Sequence, residues 1–452
     1  MDRSSSLRLA AALIGASALW SGQALAQSSS NTSKAHRLQA MQQQLQALKS
    51  QLATLKQKQH NMPAEPSTDN ASTSDQASAS STAQANKPKQ TLTLGGAFTA
   101  GYKLKPDMKN HRSSGDAIAG IAAFNVHGTE GKLSYGAEYR WSPTAFADSS
   151  YLRYGWAAYD FGKHSQIKGG MFYVPFGNLR FGYQTFWGNL TYYAGFTDNQ
   201  AAGLGYKYEN GPWRLDVDAF KNDDLEQHSL YGSNPFDGYQ QVNGGNVRAA
   251  YTFNQGTHHS VQVSAAVRGG ELQVGEDAPH YGTRWAATAA VDAALGPWTL
   301  QGQYVDYRYN IPAGRSYNDN ALPTDAITME NYGFAYQMPA SGQIFAANVA
   351  RTFKIGWGAL HSIQLYDNYA YLMTGGSGRF NSALPGNAPN PTGDIQFNAV
   401  GADFSFGILQ VWADVLTGKN AAMTFDGPSD GSWNTRYNLQ MGLYFNGDVI
   451  KN

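Results

Sequence analysis

Residues 434–445 read Asn-Thr-Arg-Tyr-Asn-Leu-Gln-Met-Gly-Leu-Tyr-Phe. Thr435, Tyr437, Leu439, Met441, Leu443 and Phe445 share one parity, and Asn434, Arg436, Asn438 and Gln440 the other. Side chains of a β-strand alternate between its two faces, so this stretch is a strand with one apolar and one hydrated face. It is also long. Globular strands average about 5–6 residues, whereas a strand tilted through a bilayer needs about 9–11.

The same period recurs upstream. Leu133, Tyr135, Ala137, Tyr139 and Trp141 oppose Ser134, Gly136, Glu138 and Arg140, and Trp213, Leu215, Val217 and Ala219 oppose Arg214, Asp216 and Asp218. Thr91–Tyr102, Val247–Phe253 and Val261–Val267 alternate in the same way. Composition agrees with the pattern. The 452 residues include 27 Tyr, 21 Phe, 10 Trp and 49 Gly, but only 15% are charged. Mean hydropathy is nevertheless −0.44, because lipid-facing and lumen-facing residues cancel in any window average. After residue 20 no apolar run approaches the roughly 20 residues of a spanning helix. Acidic and basic residues balance at 33 each, which leaves no basic footprint for a nucleic-acid partner. With no cysteine, disulfide scaffolds and thiolate chemistry are excluded. The expected fold is all-β: a transmembrane antiparallel β-barrel preceded by a short α-helical coiled coil.

The N-terminal fifth is organised differently. Arg3 and Arg8, the apolar run Leu9–Trp20 and Ala24-Leu25-Ala26 form the three regions of a secretory signal, so residues 1–26 are expected to be removed on export to the outer membrane of a Gram-negative cell. Leu38, Met41, Leu45, Leu48, Leu52 and Leu55 recur at alternating spacings of three and four, the seam of a coiled coil over 35–59. Residues 60–90 are built of Ser, Ala, Thr, Gln, Asn, Asp and Pro and read as a disordered linker. The barrel is expected over 91–445, with 446–452 as a periplasmic tail.

Short glycine-rich links (127–132, 161–164, 209–212, 254–257, 295–297) alternate with long polar stretches (103–116, 175–202, 221–244, 270–282, 308–327), the arrangement of short periplasmic turns and long outer loops. Candidate segments number seventeen. Single-chain bacterial barrels have an even count, so sixteen strands are expected, with eighteen as the alternative. The parity slips between 308 and 394, where Gln343–Phe353 and Leu360–Leu372 alternate poorly.

Inward residues set what passes a barrel. On the cleanest strands the inward cations are Lys132, Arg140, Lys168, Lys207, Arg214, Arg248, Arg268 and Arg436, and the inward anions are Glu138, Glu209, Asp216 and Asp218. Rings of Lys and Arg favour anions; against that, Glu138 with Arg140, and Arg214 with Asp216 and Asp218, suit ion networks that brace the wall. The stretch Pro175–Ala202 is the candidate for a loop folded into the pore, carrying Arg180 and Asp198 as its only charges among Phe176, Phe181, Tyr183, Phe186, Trp187, Tyr192, Tyr193 and Phe196. Arg180 is then a constriction residue and the aromatics either guide a solute or pack the loop on the wall. Pore-lining candidates are therefore Arg140, Arg153, Lys168, Arg180, Lys207, Arg214, Arg248, Arg268, Asp198, Tyr183 and Trp187.

Two stretches carry resemblances. Residues 434–445, ending on an aromatic, resemble the terminal-strand signal of outer-membrane barrels. Lys168-Gly-Gly-Met-Phe-Tyr-Val-Pro-Phe-Gly177 resembles the strand-and-turn of the phosphate-selective porin O/P superfamily and its DcaP-like relatives, and an N-terminal coiled coil before the barrel is similar to those relatives and to the sucrose porins. The resemblance spans about 35–445. It implies a sixteen-stranded homotrimer with a constricted, anion-preferring pore, with Lys168 and Arg180 placed around the motif. The lysine clusters of a phosphate channel do not occur here; a larger organic anion or a sugar suits the aromatic loop as well.

No phosphate loop, metal-spaced histidine cluster or nucleophile elbow occurs. No enzymatic activity, cofactor or metal is expected. The expected partners are outer-membrane lipid, two further copies through 35–59 and the barrel wall, and small anionic or sugar solutes. A mainly structural role, with the coiled coil on peptidoglycan, is the remaining alternative.

Overall fold

The computed structural model describes residues 90–105, 115–143, 148–179, 183–223, 231–233, 238–275, 281–317, 320–331, 334–374, 393–421 and 431–451. The expected signal peptide (1–26), coiled coil (35–59), all of the linker except residue 90, and Arg180 lie outside them.

In chain order the strands begin with β1 (Gln90–Leu104), β2 (Asp116–Glu130), β3 (Leu133–Pro143), β4 (Asp148–Asp160) and β5 (Ser165–Tyr173). A one-turn helix α1 (Leu190–Tyr193) precedes β6 (Gln200–Asn210), β7 (Trp213–Asn222), β8 (Tyr231–Ser233), β9 (Tyr239–Phe253) and β10 (His259–Val274). Next come β11 (Tyr281–Leu295), β12 (Trp298–Asn310) and four short strands: β13 (Ser316–Tyr317), β14 (Asn320–Ala321), β15 (Ala326–Asn331) and β16 (Phe334–Pro339). The chain ends with β17 (Ser341–Trp357), β18 (Leu360–Thr374), β19 (Ile395–Phe406), β20 (Leu409–Lys419) and β21 (Trp433–Lys451).

All except β8 and β13–β16 join one closed antiparallel barrel of sixteen strands, each paired with its neighbour in sequence and β21 paired with β1. Closure leaves no edge strand with unpaired backbone groups. The count is sixteen, as expected.

Three expectations are corrected. Residues 446–451, expected as a tail, are strand: Gly95, Leu94, Thr93 and Leu92 of β1 pair with Asn446, Gly447, Asp448 and Ile450, and Thr93 Oγ1 donates to Asp448 Oδ1 at 2.9 Å. Without them the first residues of β1 would have no ladder on that side. Lys132 lies exposed in the β2–β3 turn rather than on the inward face of a strand. The surplus segment belongs to the β12–β17 connection, whose β15 pairs with β16 and with β8 in a separate three-stranded sheet.

The two poorly alternating segments are full barrel strands, β17 and β18. Their inward faces carry Ile344, Ala346, Ala350, Ala370 and Leu372, all buried. They are buried because the lumen beside them is filled. Leu190, Tyr193 and Phe196 from the β5–β6 loop, and Ile327, Met329 and Met338 from β15 and β16, join Ile344, Ala346, Ala370 and Leu372 in one apolar core. Each fully buried side chain of this kind stabilises by about 1.5–3 kcal/mol. The outward face is the reverse: Phe98, Phe124, Trp141, Leu204, Trp213, Val247, Val267, Trp298, Phe345 and Leu439 are all exposed, the apolar and aromatic surface expected of a barrel wall that faces lipid.

Candidate functional site

The lumen is shaped by the segment between β5 and β6, residues 174–199. The candidate loop is thus present, three residues short of its expected C-terminal end because β6 already begins at Gln200. Its base is tied to the wall beside it. Asn246 Nδ2 donates to Pro175 O at 2.9 Å and Arg248 Nε to Gly177 O at 3.1 Å. Gly177 is at φ +67°, a backbone conformation that favours glycine, and an added Cβ would come within 2.1 Å of Gln303 Nε2, so a substitution strains the backbone and displaces that side chain. Its middle reaches further round the barrel. Asn178 Nδ2 donates to Gly302 O at 3.3 Å, Gln184 Nε2 to Gln301 Oε1 at 3.0 Å, and the backbone N–H of Gln184 to Asn368 Oδ1 at 2.6 Å. Asn368 Nδ2 returns a bond to Gln184 Oε1 at 3.0 Å.

Past this anchor the chain turns back. Phe186 packs against Trp412 of β20 with tilted rings, centroids 5.5 Å apart, and the Trp187 ring lies 4.1 Å from the Arg436 guanidinium carbon. Asn189 caps α1, its side chain accepting from the backbone N–H groups of Thr191 and Tyr192. Tyr336 of β16 then donates to Tyr193 O at 2.8 Å. The loop therefore touches β9, β12, β18, β20 and β21 in one crossing of the interior.

Most loop aromatics pack rather than line. Phe176 meets Phe196 at 5.5 Å, Tyr183 meets Tyr192 at 5.8 Å, and Phe196 meets Tyr307 of β12 at 5.2 Å. Tyr183 is buried, and Trp187 remains half-exposed at the loop tip.

The charged candidates gather on the opposite wall, formed by β3 to β9. Positions i and i+2 of a strand share a face, and the expected braces are there. Arg140 bonds Glu138, and Arg214 Nη2 lies 2.8 Å from Asp216 Oδ1. Asp218 departs from the expected network: Asn246 Nδ2 donates to it at 3.1 Å. Lys207 pairs with Glu209 at 3.2 Å. Arg248, fully buried, donates to Gly177 O and to Gln262 Oε1 at 2.9 Å. Arg153 makes the connection sequence reading could not supply. Its Nη1 donates to Glu138 at 3.1 Å, and its Nη2 donates to both carboxylate oxygens of Asp198 at 2.7 Å. Asp198 sits at φ +61°, a left-handed turn that ends the loop. Burial pushes its carboxyl up to about 7, against the pull of Arg140.

Lys168 differs from all of these. Its ammonium lies over the rings of Trp156 and Phe172, 5.3 and 5.0 Å from their centroids, and among the described residues no carboxylate lies within ion-pair distance. Arg268 is buried beneath the loop, donating to Gly195 O at 3.2 Å and Gln241 Oε1 at 3.0 Å. Sequence reading missed the docking partners Asn368, Gln301, Trp412 and Tyr336. Asn368 had a signal: it is one amide on an inward face that otherwise continues as Ala370 and Leu372.

No family model matches the chain, and no curated protein matches it. Solved structures do. The outer-membrane channel DcaP of Acinetobacter baumannii superposes with a TM-score of 0.51 over 79% of this chain and 97% of that one, at 14% identity. Salmonella typhi OmpF in complex with daunomycin gives 0.49 over 79% and 98%, at 13% identity. The chain shares the barrel fold of the first of these.

Proposed function

We propose that this protein is an outer-membrane porin, passing small solutes with a mild preference for anions through a lumen narrowed by residues 174–199. The observation that carries the reading is the loop's crossing of the barrel interior, which leaves the half bounded by β17 and β18 packed and confines solutes to the remainder. The anion preference rests on Lys168. Its neighbours on the β3–β7 wall, Arg140, Arg153, Lys207 and Arg214, each have a carboxylate partner, so their charges largely cancel, whereas Lys168 has none within ion-pair distance. Arg180, in the same loop, would add to it. Purified protein in planar bilayers should give stepwise conductance and a reversal potential of anion-selective sign in a salt gradient. Cation selectivity, or no steps at all, would overturn the proposal.

A sugar pore is the second reading, favoured by the Phe186–Trp412 contact beside the inward amides Asn438 and Gln440. Aromatic faces with amides suit the apolar ring faces and hydroxyl edges of a sugar. Current block by oligosaccharides, absent with dicarboxylates, would select it. The heptad over 35–59 would join three copies, and crosslinking to trimers that is lost on deleting 35–59 tests this; a change in envelope integrity instead of flux would favour a peptidoglycan-facing structural role.

A further inference from the structure

Arg351 of β17 points away from the lumen. It shares a strand face with Phe345 and Val349, both exposed on the outer wall, and is exposed itself. Its ladder neighbours are Trp298 on β12 and Leu365 on β18, also exposed. The guanidinium carbon lies 5.1 Å from the centroid of the Trp298 ring and 4.8 Å from that of Phe353, within cation–π range of both. Phe353 is two residues nearer the β17–β18 turn, so the side chain leans toward that end of the barrel. Trp298 is the first residue of β12 after the Gly296-Pro297 turn, and the backbone N–H of Thr352 donates to Pro297 O at 2.9 Å. The charge therefore sits at the short-turn rim, in a belt of aromatics that Trp213 and Phe253 continue beside their own turns. Among the described residues Arg351 has no hydrogen-bond acceptor and no carboxylate within ion-pair distance; the outward Asp367 stands opposite Val349, further from the rim, and forms no ion pair with it.

A charge on a lipid-facing wall destabilises most at the mid-plane and least at the interface. An arginine is kept there by laying its stem along the apolar layer and reaching the headgroups with its tip. The two rings attract the cation but offer no strong hydrogen-bond acceptor, so the five N–H groups of the guanidinium still need one. The acceptor that a bilayer supplies at this depth is phosphate, whose oxygens match the guanidinium fork. We propose that Arg351, Trp298 and Phe353 form a phospholipid site: the lipid phosphate accepts from Arg351, and the acyl chains lie along Leu300, Val349 and Leu365, all exposed beside it on the side away from the rim. Phosphate is the recognised group, so zwitterionic and anionic phospholipids both fit. The site rests on the lipid-facing reading of the wall and is independent of the lumen; it holds whether or not the barrel conducts.

The test reads bound lipid, not current. The full chain, folded in an uncharged detergent, is given limiting phosphatidylglycerol, phosphatidylethanolamine or diacylglycerol, and retained lipid is counted by native mass spectrometry. Heat-shifted gel migration shows that each variant is folded. The wild type should hold either phospholipid about tenfold or more tightly than Arg351→Gln, the loss expected of a charge-assisted hydrogen-bonding group, and the two should not differ for diacylglycerol. Lysine keeps the charge without the planar fork, so Arg351→Lys should lose part of the affinity. Trp298→Ala should weaken retention, whereas Trp213→Ala, in the same belt but away from Arg351, should not. Inorganic phosphate in excess should leave the lipid in place, because the acyl chains add to its binding; displacement would make this a site for free phosphate and overturn the lipid assignment. Equal phospholipid retention by folded wild type and Arg351→Gln, or equal losses in Trp213→Ala and Trp298→Ala, would overturn the proposal.

Discussion

Replacing Arg153 by glutamine should release the loop. The network it joins is balanced: Arg140 and Arg153 against Glu138 and Asp198. Side-chain exposures of 7% for Arg153, 10% for Glu138 and 6% for Asp198 leave little water to compensate a missing charge. Arg153→Gln takes the sum from zero to −1 and leaves Asp198, at the end of the loop, without its two 2.7 Å bonds. Removing one partner of a buried pair costs about 3–5 kcal/mol, and each 1.4 kcal/mol is about tenfold. The docked state of the loop should therefore lose on the order of 10²–10³-fold in population relative to undocked states. In planar bilayers at pH 8, where Asp198 is ionised, the variant should show higher and noisier single-channel conductance than wild type. Adding Asp198→Asn restores charge balance, leaving Glu138 with Arg140, and should recover most of the wild-type trace. Unchanged conductance, noise and melting in Arg153→Gln would refute this reasoning. So would a double variant that simply sums two separate losses.

Phe186→Ala with Trp187→Ala should raise conductance by freeing the loop tip from Trp412 and Arg436. Because both rings are half-exposed, the stability loss should be below the roughly 3–5 kcal/mol of a fully buried aromatic, measured as a small drop in unfolding midpoint. Burial holds the Asp198 carboxyl up at about 7, so lowering pH through 7 protonates it and leaves the Arg153 charge without that counter-charge; reversal potentials should move toward anions between pH 8 and pH 6, and Asp198→Asn should flatten the shift. On the outer face, Asp367 of β18 is exposed between Val349 and Val400 on the flanking strands. If lipid covers it, Asp367→Leu should raise the unfolding midpoint, since charges on a lipid face destabilise; a lowered midpoint would mean that a protein surface covers it. Truncation after Phe445 removes the partners of Leu92–Gly95 and should lower the temperature at which the barrel unfolds in detergent gels.

The barrel was legible wherever one face meets lipid and the other water, as in β3, β7, β10 and β21. It was illegible in β17 and β18 because loops cover their inward faces: Ile344, Ala346, Ala370 and Leu372 are apolar for contacts with residues 190–196 and 327–338, and two apolar faces erase a period of two. The candidate site divides along the same line. Glu138–Arg140 and Arg214–Asp216 could be read from spacing, since neighbours two apart on a strand share a face. Arg153–Asp198 joins residues 45 apart through a loop whose path depends on tertiary contacts with β12 and β18, and no local pattern encodes it.

The pairing of β21 with β1 also fixes an order of events. The first barrel strand to leave the ribosome gains its second neighbour only from the last, and the register between them, from Thr91 with Lys451 to Leu104 with Tyr437, stays open until the final residues arrive. A translocated but incomplete chain must therefore be kept from pairing β1 with any other edge. The seam makes arrival of the last strand a checkpoint: a chain terminated before β21 lacks the strand that closes this ring on β1.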